Sequence, residues 1–133
     1  MDSLKEKDIQ KTILDWGGIR KIPMHRINVI GTPYKKNGLT YYRPAPNVGM
    51  ADILATPVIE NIPVCVWLEV KTSKGRQSTN QRIFEENIKK IKGHYYIVKS
   101  IEDVERALKE VEIFTWESIN NASEKKENGW FNR

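Results

Sequence analysis

The feature that most constrains the fold is a β-prone run at positions 64–72 (VCVWLEVKT), followed by a helical segment and a second such run at 94–99 (HYYIVK). β-Branched and aromatic residues fill both runs, which predicts strands. Between them, Ser78 caps a helix running to about residue 92. Its inward stripe is Ile83, Phe84, Asn87, Ile88 and Ile91, and Gly93 ends it. Strand, helix, strand is a βαβ unit, so the two strands should be parallel and joined by a right-handed crossover.

Alternation along 64–72 puts Val64, Val66, Leu68 and Val70 on one face, and Cys65, Trp67, Glu69 and Lys71 on the other. Glu69 and Lys71 then share a side, about 7 Å apart along the strand. Seventeen residues earlier, Asp52 follows Gly49 and opens another apolar run, 52–58. If the two strands pair, an Asp, a Glu and a Lys converge in a small volume. Hard divalent cations such as magnesium favour such oxygen ligands and fill their remaining positions with water and phosphate.

The remaining chain completes an α/β pattern with a mixed sheet. A helix is expected over 3–16, N-capped by Ser3 and stopped by Gly17 and Gly18. Residues 25–30 read as a strand with 39–43 as its hairpin partner, the turns coming from Gly31 to Pro33 and from Asn37 with Gly38. A third helix opens at Ser100 with Asp103 and runs to about residue 110, and 112–116 reads as a short strand or a segment packed on the sheet edge. Residues 1–117 form the predicted domain. Residues 118–133 read as a polar, flexible tail in which only Trp130 and Phe131 are suited to docking.

A length of 133 residues suits one domain. No apolar stretch approaches the roughly 20 residues of a membrane span, MDSLKEKD has no signal-peptide core, and a cytoplasmic location is expected. The single cysteine, Cys65, excludes an internal disulfide or a cysteine-rich zinc site, and its mid-strand position predicts a buried thiol. With 22 Lys and Arg against 17 Asp and Glu, the chain carries a net charge of +5, which points to a polyanion. Arg20, Lys21, Arg26, Lys35, Lys36 and Arg43 precede the acids, and Lys74 and Arg76 follow them closely. A basic rim around an acidic pair suits a phosphodiester substrate. His25 and His94 lack metal-ligand spacing to each other.

Gly49-Met-Ala-Asp52, then Glu69-Val-Lys71, then Lys74-Gly-Arg-Gln-Ser78 with Gln81 resembles the VRR-NUC branch of the PD-(D/E)xK nucleases. Glu6 with Gln10 and the segment Arg26-Ile-Asn28 fit the same pattern. Asp52 is preceded by Ala rather than Pro. The likeness spans roughly residues 3–110 and implies a restriction-endonuclease-like fold, a mixed β-sheet core flanked by helices. It implies magnesium, with manganese substituting, held by Asp52, Glu69, the Val70 carbonyl and Glu6. Lys71 would then face the attacking water or the scissile phosphate, and Gln81 would sit at the active site. Arg26, Asn28, Lys74 and Arg76 become candidate DNA-backbone contacts.

Each residue also has a plainer reading. Ser3 with Glu6, and Ser78 with Gln81, are capping boxes. Asp52 suits a turn, and Glu69 with Lys71 an exposed ion pair. Taken together, the pattern predicts a metal-dependent, structure-selective DNA endonuclease, resembling a homodimeric Holliday-junction resolvase and having no membrane association. The rivals are a monomeric flap or nicking nuclease and a non-catalytic nucleic-acid-binding module.

Overall fold

Four short strands form a mixed sheet at the centre of the protein, in the order β1 (Met24–Arg26), β4 (Ile53–Ala55), β7 (Val66–Val70), β8 (His94–Val98). The computed structural model describes residues 5–27, 32–43 and 48–127, with the side chains at 32 and 125–127 excepted. The expected cap at Ser3, the contact at Asn28, the end of the 25–30 strand and the docking of Trp130 and Phe131 lie outside those residues. Strand β4 pairs antiparallel with both β1 and β7, whereas β7 and β8 are parallel. With three helices among the described residues, this is the mixed α/β architecture the sequence predicts.

Pairing fixes which side chain faces which layer. Val66, Leu68 and Val70 of β7 are fully buried with Ile53 and Ala55 of β4 and Val98 of β8. This face packs on α1 (Glu6–Ile19) through Ile9 and Ile13, and on α3 (Ile101–Glu127) through Val104 and Val111. Each fully buried aliphatic side chain contributes about 1.5–3 kcal/mol, so alternation with period two holds the register of β7 firmly. The opposite face meets α2 (Thr79–Lys90), where Phe84 packs edge-on against Trp67 at 5.1 Å and tilts onto Tyr95 at 6.0 Å. Ile83 and Ile91, expected on the inward stripe of α2, are instead 49% and 76% exposed. The helix touches the sheet along a narrower line than its apolar residues suggested.

Helix α1 begins at Glu6, with Lys5 as an N-cap that makes no side-chain bond. It also runs through Gly17 and Gly18. Gly17 is buried against Met24, whose sulfur lies 2.6 Å from where a Cβ would stand. Its glycine serves close packing of helix on strand, and the left-handed Lys21 turns the chain beyond the helix.

Two hairpins stand apart from the central sheet. Strand β3 (Leu39–Arg43) pairs with β2 (Thr32–Lys36), whereas β1 (Met24–Arg26) pairs with β4. Asn37 and Gly38 both have positive φ, which makes a two-residue turn that joins the residues immediately flanking it. The expected 52–58 strand is interrupted after Ala55. Val58–Ile59 (β5) folds back on Ile62–Pro63 (β6) through the left-handed Glu60 and Asn61.

The largest departure is at the C-terminal side. The expected strand at 112–116 and the start of the expected flexible tail belong to α3, one 27-residue helix. Val104, Ala107, Val111 and Thr115 are buried at successive helical turns, and this packing overrides the β-propensity of Ile113 to Trp116. Cys65 is exposed just before β7 rather than buried within it. Among the described residues, no helix is long and apolar enough to cross a membrane.

Candidate active site

The register Ile53↔Leu68 and Leu54↔Trp67, carried one residue further, sets Asp52 opposite Glu69 on the α2 face of the sheet. Backbone and side chains interlock there. Asp52 Oδ2 accepts the Val70 N–H at 2.8 Å, and the Asp52 N–H donates to Glu69 Oε2 at 3.2 Å. The Asp52 carbonyl accepts the Ile27 N–H at 2.8 Å, and the Lys71 N–H donates to the Val98 carbonyl at 3.0 Å. Both strand ends are therefore pinned to their neighbours.

Glu69 is completely buried and Lys71 is 6% exposed, so they are not an exposed ion pair. Lys71 Nζ lies 3.6 Å from Glu69 Oε1 and 3.8 Å from Glu6 Oε1. Glu69 Oε1 nevertheless has no hydrogen-bond partner. An unsatisfied buried carboxylate oxygen costs free energy that the Lys71 charge offsets only in part. Burial, reinforced by the nearby Asp52 charge, pushes the Glu69 carboxyl up to about 8 despite the opposing pull of Lys71. Glu69 therefore holds a proton more tightly than an ordinary carboxyl, and a cation binding there would compete with that proton.

The donor set suits a hard cation. Two carboxylates from adjacent strands, one oxygen unpartnered, sit beside the Val70 backbone, and magnesium needs few protein ligands because it keeps several waters. Among the described residues, no three Asp, Glu, His or Cys side chains form a metal-holding group. Glu6 is turned to Lys71 rather than grouped with both other acids, so it orients the ammonium. The set does not match a zinc centre of three or four protein ligands.

Elements around the site are held at close range. The left-handed Gly49 (φ +89°) lies against the first turn of α2, where a Cβ would stand 2.6 Å from the Asn80 carbonyl oxygen. At Gly75 a Cβ would meet Glu6 Oε1 and Lys71 Cδ at 3.3 Å, so the loop after β7 closes over the lysine. Lys74 and Arg76 are exposed on that loop. Gln81 completes the predicted capping box, its Oε1 accepting the Ser78 N–H at 2.8 Å and its N–H donating to Ser78 Oγ at 3.2 Å. The cap uses the amide oxygen and leaves the amide nitrogen for other work.

Other predicted residues sit further from the acids. Arg26 pairs with Ile53, so alternation directs it to the α1–α3 face, opposite to Asp52 and Glu69. His94 packs edge-on against Phe114 at 5.1 Å, and burial lowers its pKa; its place is structural. Sequence reasoning gave no role to Gln77, whose Nε2 donates at 3.0 Å to both Tyr95 and Glu85 and ties the loop to β8 and α2. A cavity of about 780 Å³ lined by Trp16, Pro57 and Trp116 includes none of the site residues. No family model, curated protein or solved structure matches the chain.

Proposed function

We propose that this protein is a metal-dependent DNA endonuclease with a restriction-endonuclease-like core of the VRR-NUC type. It works in the cytoplasm as a homodimer on branched DNA, a four-way junction above all. The observation that carries this reading is the buried Glu69–Lys71 pair joined to half-buried Asp52, with one carboxylate oxygen left without a partner. A fold has little reason to bury an acid and an amine beside a second, half-buried acid at two strand ends unless a ligand completes them.

When bound, a magnesium or manganese ion lowers the pKa of water and neutralises charge growing on the phosphoryl oxygens. Asp52 and Glu69 would hold such a cation, with the Val70 carbonyl as a candidate further ligand, and the Val70 N–H keeps the Asp52 carboxylate oriented. Lys71 contributes a desolvated positive charge that stabilises the developing anion, and Glu6 steers its ammonium. The Gln81 amide nitrogen can donate to a phosphate oxygen while its oxygen caps α2. Exposed Lys74 and Arg76 take flanking phosphates; such contacts position DNA without reading its sequence.

Labelled four-way, flap and linear DNA, incubated with magnesium, manganese or EDTA, test the reading. We expect metal-dependent paired nicks at the four-way junction from a protein of dimeric mass. Cutting of flaps alone by a monomer would change the substrate but keep the chemistry. DNA binding without scission in either metal would end the enzyme assignment.

A further inference from the structure

The β2–β3 hairpin carries aromatic and basic side chains that the fold itself does not use. It is exposed along its length, Tyr42 at 70%, Leu39 at 61% and Tyr41 at 42%. Its register, Tyr34↔Tyr41 and Lys36↔Leu39, sets Tyr34, Lys36, Tyr41 and Arg43 on one face, and Lys35 and Tyr42 on the other. Tyr34 and Tyr41 stack at 5.6 Å, and the Arg43 guanidinium lies 5.0 Å over Tyr34. An isolated hairpin is marginal in water, so these contacts and the Asn37–Gly38 turn keep the ribbon in shape rather than bury it in the body.

Charge identifies the partner. From Trp16 to Ala51 the sequence holds six Lys and Arg and no acid; the other residues carry 16 cations against 17 acids. The basic character of the protein therefore resides in the segment that contains this ribbon. The ribbon is inserted between β1 and β4, and the Ile27 N–H bonds to the Asp52 carbonyl, so the chain departs from the sheet beside the candidate site. Four residues lie between Ile27 and Thr32, five Cα–Cα steps with a reach of at most about 18 Å.

We propose that the β2–β3 ribbon is an arm that inserts into a groove of duplex DNA next to the candidate site. Lys35 meets the phosphate wall on one side, and Lys36 and Arg43 meet the wall on the other. A major groove about 12 Å wide admits a two-stranded ribbon, and cations on both faces suit a slot with anionic walls on both sides. The proposal shares with the functional reading only the identity of the partner as DNA, and does not depend on cleavage.

The test is fluorescence anisotropy of labelled duplex and four-way DNA in EDTA at several salt concentrations. The wild type is compared with K35A/K36A/R43A and with K90A/K92A/K99A, an equal charge change at exposed positions elsewhere. Circular dichroism of both variants should match the wild type. The arm variant should bind at least about ten-fold more weakly at 100 mM salt, with a salt slope smaller by roughly 2–3, since each phosphate contact contributes about 0.9. The control should stay within about three-fold with an unchanged slope. Equal weakening by the two variants, wild-type affinity in the arm variant, or no DNA binding by the wild type would each overturn the arm. Arm-dependent binding by a protein that cuts nothing in any metal would leave the arm standing and remove the nuclease.

Discussion

Asp52 and Glu69 are joined through backbone as well as charge: the Asp52 N–H donates to Glu69 Oε2 at 3.2 Å, while Asp52 Oδ2 holds the amide of the next residue, Val70, at 2.8 Å. Neither acid can move without disturbing the strand that carries the other. This separates two effects of mutation at position 52. Asp52→Asn keeps a carbonyl oxygen for the Val70 N–H, so it should abolish metal-dependent cleavage while changing stability by less than about 1 kcal/mol. Asp52→Ala leaves that amide without an acceptor and should cost about 1–3 kcal/mol as well. Thermal melting and strand scission, measured side by side, check the pair; equal melting temperatures for the two variants would contradict the hydrogen-bond assignment.

The raised Glu69 pKa sets the sign of a pH dependence. The folded state keeps a proton that the unfolded chain releases near 4.5, so this contribution is largest below that pH and is lost as pH rises through about 8. Without metal, the wild type should melt roughly 5 °C or more lower at pH 8.5 than at pH 5.5. Glu69→Gln should flatten the difference, and manganese should restore the wild type at high pH. A pH-independent difference in melting temperature between the wild type and Glu69→Gln would rule out the buried acid as its source.

Lys71 has two acidic neighbours, and their separate loss should have unlike consequences. Lys71→Met removes the charge beside the unpartnered Glu69 oxygen and should lower cleavage at least about 100-fold, with DNA affinity held within about three-fold. Glu6→Gln weakens only the steering of the ammonium and should cost about ten-fold or less. A Glu6→Gln loss as large as that of Lys71→Met would promote Glu6 from orienting residue to ligand.

Two glycines should fail differently. A Gly49→Ala side chain meets the Asn80 backbone at 2.6 Å in a left-handed conformation, so it should cost about 1–3 kcal/mol of stability. Gly75→Ala meets only the mobile ends of Glu6, Lys71 and Thr72 at 3.2–3.3 Å, so it should melt normally yet cut several-fold more slowly. Melting curves and initial rates distinguish the two.

How much of this was legible in the sequence depended on whether local pattern and tertiary packing agreed. Along β7 they agreed: alternation separated Val66, Leu68 and Val70 from Trp67, Glu69 and Lys71, and the Asp52–Glu69 pairing followed once β4 lay beside β7. At residues 112–116 they disagreed. The β-prone side chains hid a helical spacing, Val104, Ala107, Val111, Thr115, that would have carried α3 onward. Gly17 read as a helix stop because its packing partner, Met24, is on another element. The turn at Asn37 and Gly38 was readable, but its two-residue length should have fixed the pairing to Lys36 and Leu39. At the site, residue types and strand faces could be read in advance. The burial of Lys71 and its contact with Glu6 could not, since both depend on α1 and the Gly75 loop arriving from elsewhere.

The most direct test of the central claim is a manganese titration followed by electron paramagnetic resonance on the wild type, Asp52→Asn and Glu69→Gln. A shared cation between the two strand ends predicts one saturable manganese per chain in the wild type, and its loss in both variants without loss of fold. Wild-type manganese binding in both variants would contradict the account, whatever the protein does to DNA.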